Sequence, residues 1–298
     1  IKKMNNITVI GSGTMGNGIA HCFAQNQFNV NLVDISEDKL KNALLVINKN
    51  LDRQVARSIL NADEKAKVLE RIKTSTNLEK SSEKADLIIE AASENIKIKE
   101  QLFRQIDAVA PEHCILASNT SSISITKLAS YTNRPEMVIG MHFMNPVPVM
   151  RLIEVISGFK TSEDTSKVIS ELTKKLDKTP IPAKDYPGFV ANRILLPMIN
   201  EAIETLFQGI GGVSEIDGMM KLGMGHPMGP LLLADFIGLD VCLSVLEVLH
   251  EGFGNPKYAP TPLLVNMVQA GNLGVKSGIG FYDYRADRKN PTVAAQFI

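Results

Sequence analysis

Cysteine is scarce in this sequence. Cys22, Cys114 and Cys242 lie far apart, without CxxC or CxxH spacing, so neither a disulfide framework nor a zinc site organises the fold, and a reducing compartment is expected. No metal is expected either. An excess of charge is equally absent: 32 Lys and Arg balance 32 Asp and Glu, which removes the electrostatic case for nucleic acid or an anionic membrane as partner. Apolar runs stay short of the roughly 18 residues that a spanning helix requires. The start, Ile1-Lys2-Lys3-Met4-Asn5-Asn6, is polar and enters a strand pattern directly, with no apolar leader. Repeats and low-complexity tracts are missing. What remains is a globular protein, expected in the cytoplasm, whose 298 residues and 44% hydrophobic content allow one larger and one smaller domain around a small-molecule ligand.

The first half alternates short β-branched runs with amphipathic helical stretches, the pattern of a parallel sheet covered by helices. Residues 7–10, 30–33, 85–92 and 114–118 read as strands. Between Asp34 and Arg71 lies a long charged helical insertion with Lys49, Arg53 and Arg57 on one basic face. On local pattern, that face is either solvated or a contact for a coenzyme phosphate. Two adjoining strands follow at 137–144 and 150–156, joined by Asn145-Pro146-Val147-Pro148, a reversal that proline both shapes and isolates from the ladder. Beyond the break at 184–188 the strand signals nearly vanish, and helices are expected over 189–208, 213–222 and 229–250. The last is apolar almost all round, at Leu231, Leu232, Leu233, Phe236, Ile237, Leu243 and Leu246. It must lie in a core or a subunit interface, and a homodimer through it is expected.

Gly11-Ser12-Gly13-Thr14-Met15-Gly16 fits GxGxxG. Alone the motif is weak, but here it follows a strand, opens a helix and precedes a second strand that ends in Asp34. Gly11 makes the tight turn, Gly13 lets backbone approach a pyrophosphate, and Gly16 allows close helix packing. Thr14 and Met15 open the helix whose N–H groups and dipole face the phosphates. Asp34 can bond both ribose hydroxyls and would repel a 2′-phosphate, and no arginine follows it in Ile35-Ser36-Glu37-Asp38. NAD is therefore expected over NADP. The fold class is α/β: a Rossmann-like dinucleotide-binding domain over 1–183, followed by an all-α domain over 184–298.

Hydride transfer from an alcohol leaves a proton that needs a base, and histidine suits that task near neutrality. Of five histidines, His142 lies at the end of a late strand, on the edge where α/β folds place ligands. Glu154 shares its side-chain parity on the next strand. With the reversal centred on Pro148, the two residues oppose each other directly, and their Cβ atoms would lie ~4.5–5.5 Å apart. On spacing alone, a structural histidine and a catalytic one remain equally open.

The motifs at Ser118-Asn119-Thr120-Ser121-Ser122, Gly140-Met141-His142-Phe143-Met144-Asn145-Pro146, Glu154-Val155, Pro187-Gly188-Phe189-Val190-Ala191-Asn192-Arg193, His226-Pro227-Met228-Gly229-Pro230 and Lys276-Ser277-Gly278-Ile279-Gly280-Phe281-Tyr282 resemble, in this order, those of the 3-hydroxyacyl-CoA dehydrogenase family. The match spans essentially the whole chain, whose short single-unit length resembles the bacterial 3-hydroxybutyryl-CoA type. Met144 and Ala191 depart from the family's usual apolar residues without touching its polar ones. The resemblance implies an acyl-CoA substrate, His142 as base with Glu154 as partner, and Ser121 and Asn192 as hydrogen-bonding residues around the 3-oxygen and thioester. Glu90, Glu94 and Asn119 would lie towards the nicotinamide, and Arg53 and Arg57 towards the CoA phosphates. Without it, the serine cluster reads equally as a helix N-cap, and Asn192 as a cap or interdomain bond. Two other functions stay open: an NAD-dependent dehydrogenase of a free 3-hydroxy acid, and a non-catalytic NAD-binding protein of the same fold.

Overall fold

The computed structural model describes residues 4–298, which separate into two compact units, one ending at Tyr186 and one beginning at Pro187. The first is built on eight strands: β1 (Asn6–Ile10), β2 (Asn29–Val33), β3 (Ile72–Ser75), β4 (Leu87–Glu90), β5 (Ile115–Ser118), β6 (Val138–Phe143), β7 (Leu152–Ser157) and β8 (Thr179–Lys184). They lie in the order β3-β2-β1-β4-β5-β6-β7-β8, parallel throughout except that β6 and β7 run antiparallel. The chain winds outward from β1 to β3 and returns to β4, so β1 and β4 flank a topological switch point, where such sheets bind ligands beyond their carboxyl ends.

Helices α1 (Thr14–Gln25), α2 (Glu37–Ala56), α3 (Ala62–Glu70), α4 (Leu78–Ser82), α5 (Ile96–Val109), α6 (Ile125–Ala129) and α7 (Glu163–Lys175) connect these strands. Strands β4, β5 and β6 are buried at every position. That explains their continuous apolar runs, since a parallel sheet has no solvated face. The expected single insertion after Asp34 is instead two helices, because the chain turns at 57–61 and Asn61 begins α3 with a reciprocal capping box to Glu64.

Two strands had no clear sequence signal. β3 is short and half exposed, and β8 contains Pro180 and Pro182. The prolines fit because β8 is the sheet edge. Thr179 N donates inward to Arg151 O at 2.7 Å, so by the two-residue period Pro180 and Pro182 occupy the outward positions, where a missing N–H costs nothing and blocks further strand pairing.

The second unit packs α8 (Ala191–Phe207), α9 (Val213–Gly218), α10 (Pro230–Ile237), α11 (Leu239–Phe253) and α12 (Pro262–Gln269) around Leu196, Ile203, Leu231, Leu246, Leu249 and Phe281. A two-stranded ribbon, β9 (Tyr282–Asp283) with β10 (Thr292–Val293), adds to the expected all-helical plan. The continuous helix expected over 229–250 is corrected: it breaks between α10 and α11 at Gly238, whose φ of +102° is not helical. Two buried carboxylates fasten this unit. Asp217 accepts from Leu231 N and Leu232 N at the start of α10 and from Tyr282 Oη, while Asp235 accepts from Phe281 N, Tyr282 N and Tyr284 Oη.

His21, fully buried on α1, is held neutral: burial pushes its imidazole from the ordinary 6.5 down to about 4, against the opposing pull of Gln25. The unfolded chain binds this proton more tightly, so the stability His21 contributes is complete above pH 6.5 and lost as pH falls towards 4. The full loss is on the order of 3 kcal/mol at ~1.4 kcal/mol per pKa unit. Denaturant unfolding of wild type and His21→Gln at pH 7 and pH 4.5 should show the smaller drop in the variant; parallel losses would contradict this account.

Candidate active site

The glycine loop has the geometry of an anion cradle. Gly11, at φ +96°, runs so close to β4 that an added Cβ would lie 2.6 Å from Ala91 O, and a Cβ on Gly16 would lie 1.7 Å from Gly11 O. Gly13 is the opposite case, with open space where its Cβ would be. It is also the N-cap of α1, and no side chain caps that helix. The first N–H groups of α1, at Thr14 and Met15, therefore face an opening reachable by a diphosphate. Beyond the loop, Ser12 N and Ser12 Oγ each donate to Asp34 Oδ2 at 2.8 Å. Both bonds fall on the same carboxylate oxygen.

At the far side of the switch point, His142 near the end of β6 pairs in register with Glu154 on β7. Both are buried, and His142 Nδ1 lies 2.7 Å from Glu154 Oε2. A carboxylate at Nδ1 places the proton there, making Nε2 the acceptor nitrogen. Ser121 Oγ stands 3.3 Å from His142 Nε2. The set can take a proton at Nε2 and stabilise the resulting imidazolium through Glu154.

Ser121 owes its place to a charged network that sequence reading found only in part. Glu90, fully buried at the end of β4, receives Lys99 Nζ on both oxygens at 2.7 Å, Ser118 Oγ at 2.6 Å and Ala92 N at 2.7 Å. Lys99, buried on α5, also reaches Glu94 Oε2 at 3.2 Å. The other Glu94 oxygen gathers the serine loop: Ser121 N at 2.9 Å, Ser122 N and Ser122 Oγ at 3.1 Å, and the Thr120 hydroxyl. Burial alone would raise the Glu94 carboxyl, but Lys99 and these donors outweigh it and hold it below its ordinary value. Asn119 ties three strands together, donating its N–H to Glu90 O at 2.8 Å and accepting Phe143 N on Oδ1 at 2.9 Å.

His142, Glu154, Ser121, Glu94, Glu90 and Asn119 thus converge at the carboxyl edge of the sheet. Arg53 and Arg57 lie apart from them, exposed at the end of α2. Asn192 stands on the first turn of α8, in the second unit. Ser12, Ser118 and Thr120 stand in the sequence only as motif members without a role of their own, and Lys99 stands in none of the motifs. Lys99 sits in the charged stretch Lys97-Ile98-Lys99-Glu100, and only its apolar spacing from Phe103 and Ile106, both buried, hinted at an inward face. Among the described residues, no group of three or more His, Cys, Asp or Glu could hold a metal ion, and no helix is long and apolar enough to cross a membrane.

Family models for the 3-hydroxyacyl-CoA dehydrogenase NAD binding domain and C-terminal domain match residues 6–186 and 188–284. The chain is 52% identical over 292 residues to a 3-hydroxybutyryl-CoA dehydrogenase of Bradyrhizobium diazoefficiens, covering 98% of each. It is 42% identical over 289 residues to the mitochondrial hydroxyacyl-coenzyme A dehydrogenase of Homo sapiens, covering 95% of this chain and 92% of that one. The solved structure of (S)-3-hydroxybutyryl-CoA dehydrogenase from Ralstonia eutropha matches with a TM-score of 0.92 at 49% identity, over 95% of this chain and 99% of that chain. The cofactor is NAD, and the matched NAD binding domain includes the glycine loop.

Replacing Asp34 by Ala should weaken NAD binding by roughly 10- to 100-fold, the value of one or two hydrogen bonds to a charged group. It should also narrow the preference over NADP, because the repulsion of a 2′-phosphate goes with it. Steady-state kinetics with both cofactors checks this. An unchanged ratio of kcat/KM would place Asp34 away from the ribose.

Proposed function

We infer that this chain, which belongs to the 3-hydroxyacyl-CoA dehydrogenase family, interconverts 3-hydroxybutyryl-CoA and acetoacetyl-CoA, with His142 as its acid and base. The observation that carries the reading is the pairing of His142 Nδ1 with Glu154 at 2.7 Å while Nε2 meets the Ser121 hydroxyl at 3.3 Å. In the oxidative direction, Nε2 takes the proton of the 3-hydroxyl as that oxygen becomes a carbonyl, and Glu154 stabilises the imidazolium. Bound NAD supplies the acceptor for the hydride that leaves C3. In reduction the same nitrogen returns the proton. Ser121, whose backbone N–H is held by Glu94, donates its hydroxyl to the 3-oxygen and fixes that oxygen's distance from Nε2. We assign Asn192 to the thioester, and Arg53 and Arg57 to the CoA phosphates, on their motifs and charge. Glu94 and Asn119 shape the nicotinamide side. Three buried, unpaired cysteines support a cytoplasmic setting.

A dimer through the second unit belongs to the same reading. Leu231 and Leu246 lie in that unit's own core, but Phe236 and Val241 remain exposed on α10 and α11. Met219, Leu222 and Met224 are also exposed, and an apolar cavity of about 430 Å³ opens beside Met198, Ile210 and Met220. A monomer seldom leaves so much apolar surface wet. Sedimentation equilibrium should find the dimer at low micromolar concentration and at high salt; a species of monomer mass under those conditions rules it out.

The reaction is tested by NADH absorbance with acetoacetyl-CoA and with acetoacetate. Turnover is expected with the thioester, and His142→Ala should lower it by about 10²–10⁴-fold with NADH affinity nearly intact. Preference for free acetoacetate would indicate a hydroxy-acid dehydrogenase, turnover with neither a cofactor-binding protein without catalysis, and near wild-type rates in His142→Ala a different base.

A further inference from the structure

Lys178 immediately precedes β8 and is buried. Its ammonium donates to Val147 O at 2.7 Å and to Met150 O at 2.6 Å. Both carbonyls belong to the reversal between β6 and β7, which also closes on itself through Val149 N and Met150 N, each donating to Pro146 O at 3.0 Å. A buried cation bonded to neutral carbonyls is a costly arrangement, and no ion pair among the described residues offsets its lost hydration. Lys99 shows the alternative in the same unit, with two carboxylates around it.

The place of this clamp gives it a consequence. His142 enters the reversal from β6 and Glu154 leaves it on β7, directly opposed. Between them Val147 is buried against α1, so close that a Cβ on Gly18 would lie 2.9 Å from Val147 Cβ. The reversal is therefore seated on the helix that opens at the glycine loop and tied by Lys178 to the strand beyond β7. Freed from the ammonium, the Val147 and Met150 carbonyls would turn to find other donors, and the two strand ends would shift with them.

We propose that Lys178 is a positioning residue for the reaction: its two bonds to the β6–β7 reversal fix the alignment of His142 with Glu154, and of both with the cofactor helix. The proposal rests on the reading of His142 as the base. A lysine serving stability alone would lower the unfolding midpoint and leave the kinetic constants of the folded enzyme unchanged.

The test compares full-length Lys178→Met and Lys178→Arg with wild type. In folded Lys178→Met, kcat should fall roughly 10- to 100-fold, the cost of a small misplacement of reacting groups. NADH affinity and the KM for acetoacetyl-CoA should stay within about threefold, since neither depends on the alignment of the base. The pH profile of kcat should move, and Lys178→Arg should recover most of the turnover. If Lys178→Met does not fold, Lys178→Gln, which keeps an N–H donor, takes its place. Wild-type kcat in folded Lys178→Met, or in the Lys178→Gln that replaces it, overturns the proposal, as does a parallel loss of NADH affinity, and failure of all three variants to fold makes Lys178 a residue of stability alone. His142→Ala in the same assays separates the two readings. Its full activity would defeat the assignment of the base whatever Lys178 does, whereas an inactive His142→Ala beside a fully active Lys178→Met defeats only the role of Lys178.

Discussion

The antiparallel pairing of β6 with β7 is the constraint on which the site depends. Every other neighbouring pair in the eight-stranded sheet is parallel, and a parallel crossover separates consecutive strands by a dozen residues or more. The reversal at 144–151 brings two positions close in sequence into direct opposition, with His142 and Glu154 sharing one face. A slip of one residue would send one of the two side chains through the sheet to its opposite face. Burial makes the register firm, because β6 and β7 carry Ile139, Met141, Phe143, Ile153 and Val155 in the core. The opposition of His142 and Glu154 is thus a by-product of ordinary apolar packing at alternate positions.

Charge buried near this pair is arranged so that each group settles the next. Glu90 would be intolerable at the end of a central strand without Lys99, and Lys99 without Glu90 would leave an ammonium in the core. The pair is poor evidence for stability in itself, since apolar residues of equal volume often do as well. Its second carboxylate gives it another role. Through Glu94 the cation reaches the backbone N–H groups of Ser121 and Ser122, turning a polar loop into a fixed support beside His142. A loop of serines would otherwise cap itself in several ways.

Where the sequence was legible, the reason is local chemistry. The glycine loop, Asp34 and the proline-rich reversal each carry a signal within a few residues, and the membership of the family followed from motifs confirmed along both units. What was hidden depends on distant partners. Lys99 looks like a solvated lysine until β4 supplies Glu90, and β8 looks like a proline-rich loop until the sheet ends beside it. Gly238 carries no signal in the sequence, because apolar residues on both sides continue the helical pattern; its positive φ shows that the chain turns there. α10 and α11 each bury their own stripe, so the apolar pattern over 229–250 is two short periods and not one long one.

The two edges of the sheet show how the same residue types are put to different use. At the amino edge Asp86 accepts Asn5 N and Asn6 N on one oxygen and His113 on the other. Burial alone would raise its carboxyl, but the backbone donors and His113 bring it below its ordinary value. One oxygen holds the start of β1 and the other holds His113. At the carboxyl edge Asp34 is held by Ser12 through Oδ2 alone, and His142 is oriented by Glu154 through Nδ1, so that Nε2 is the nitrogen that meets a hydroxyl. The same carboxylate chemistry that locks one edge therefore orients groups at the other. The candidate site lies on the carboxyl edge because that is where the strand ends, the α1 terminus and the switch point coincide.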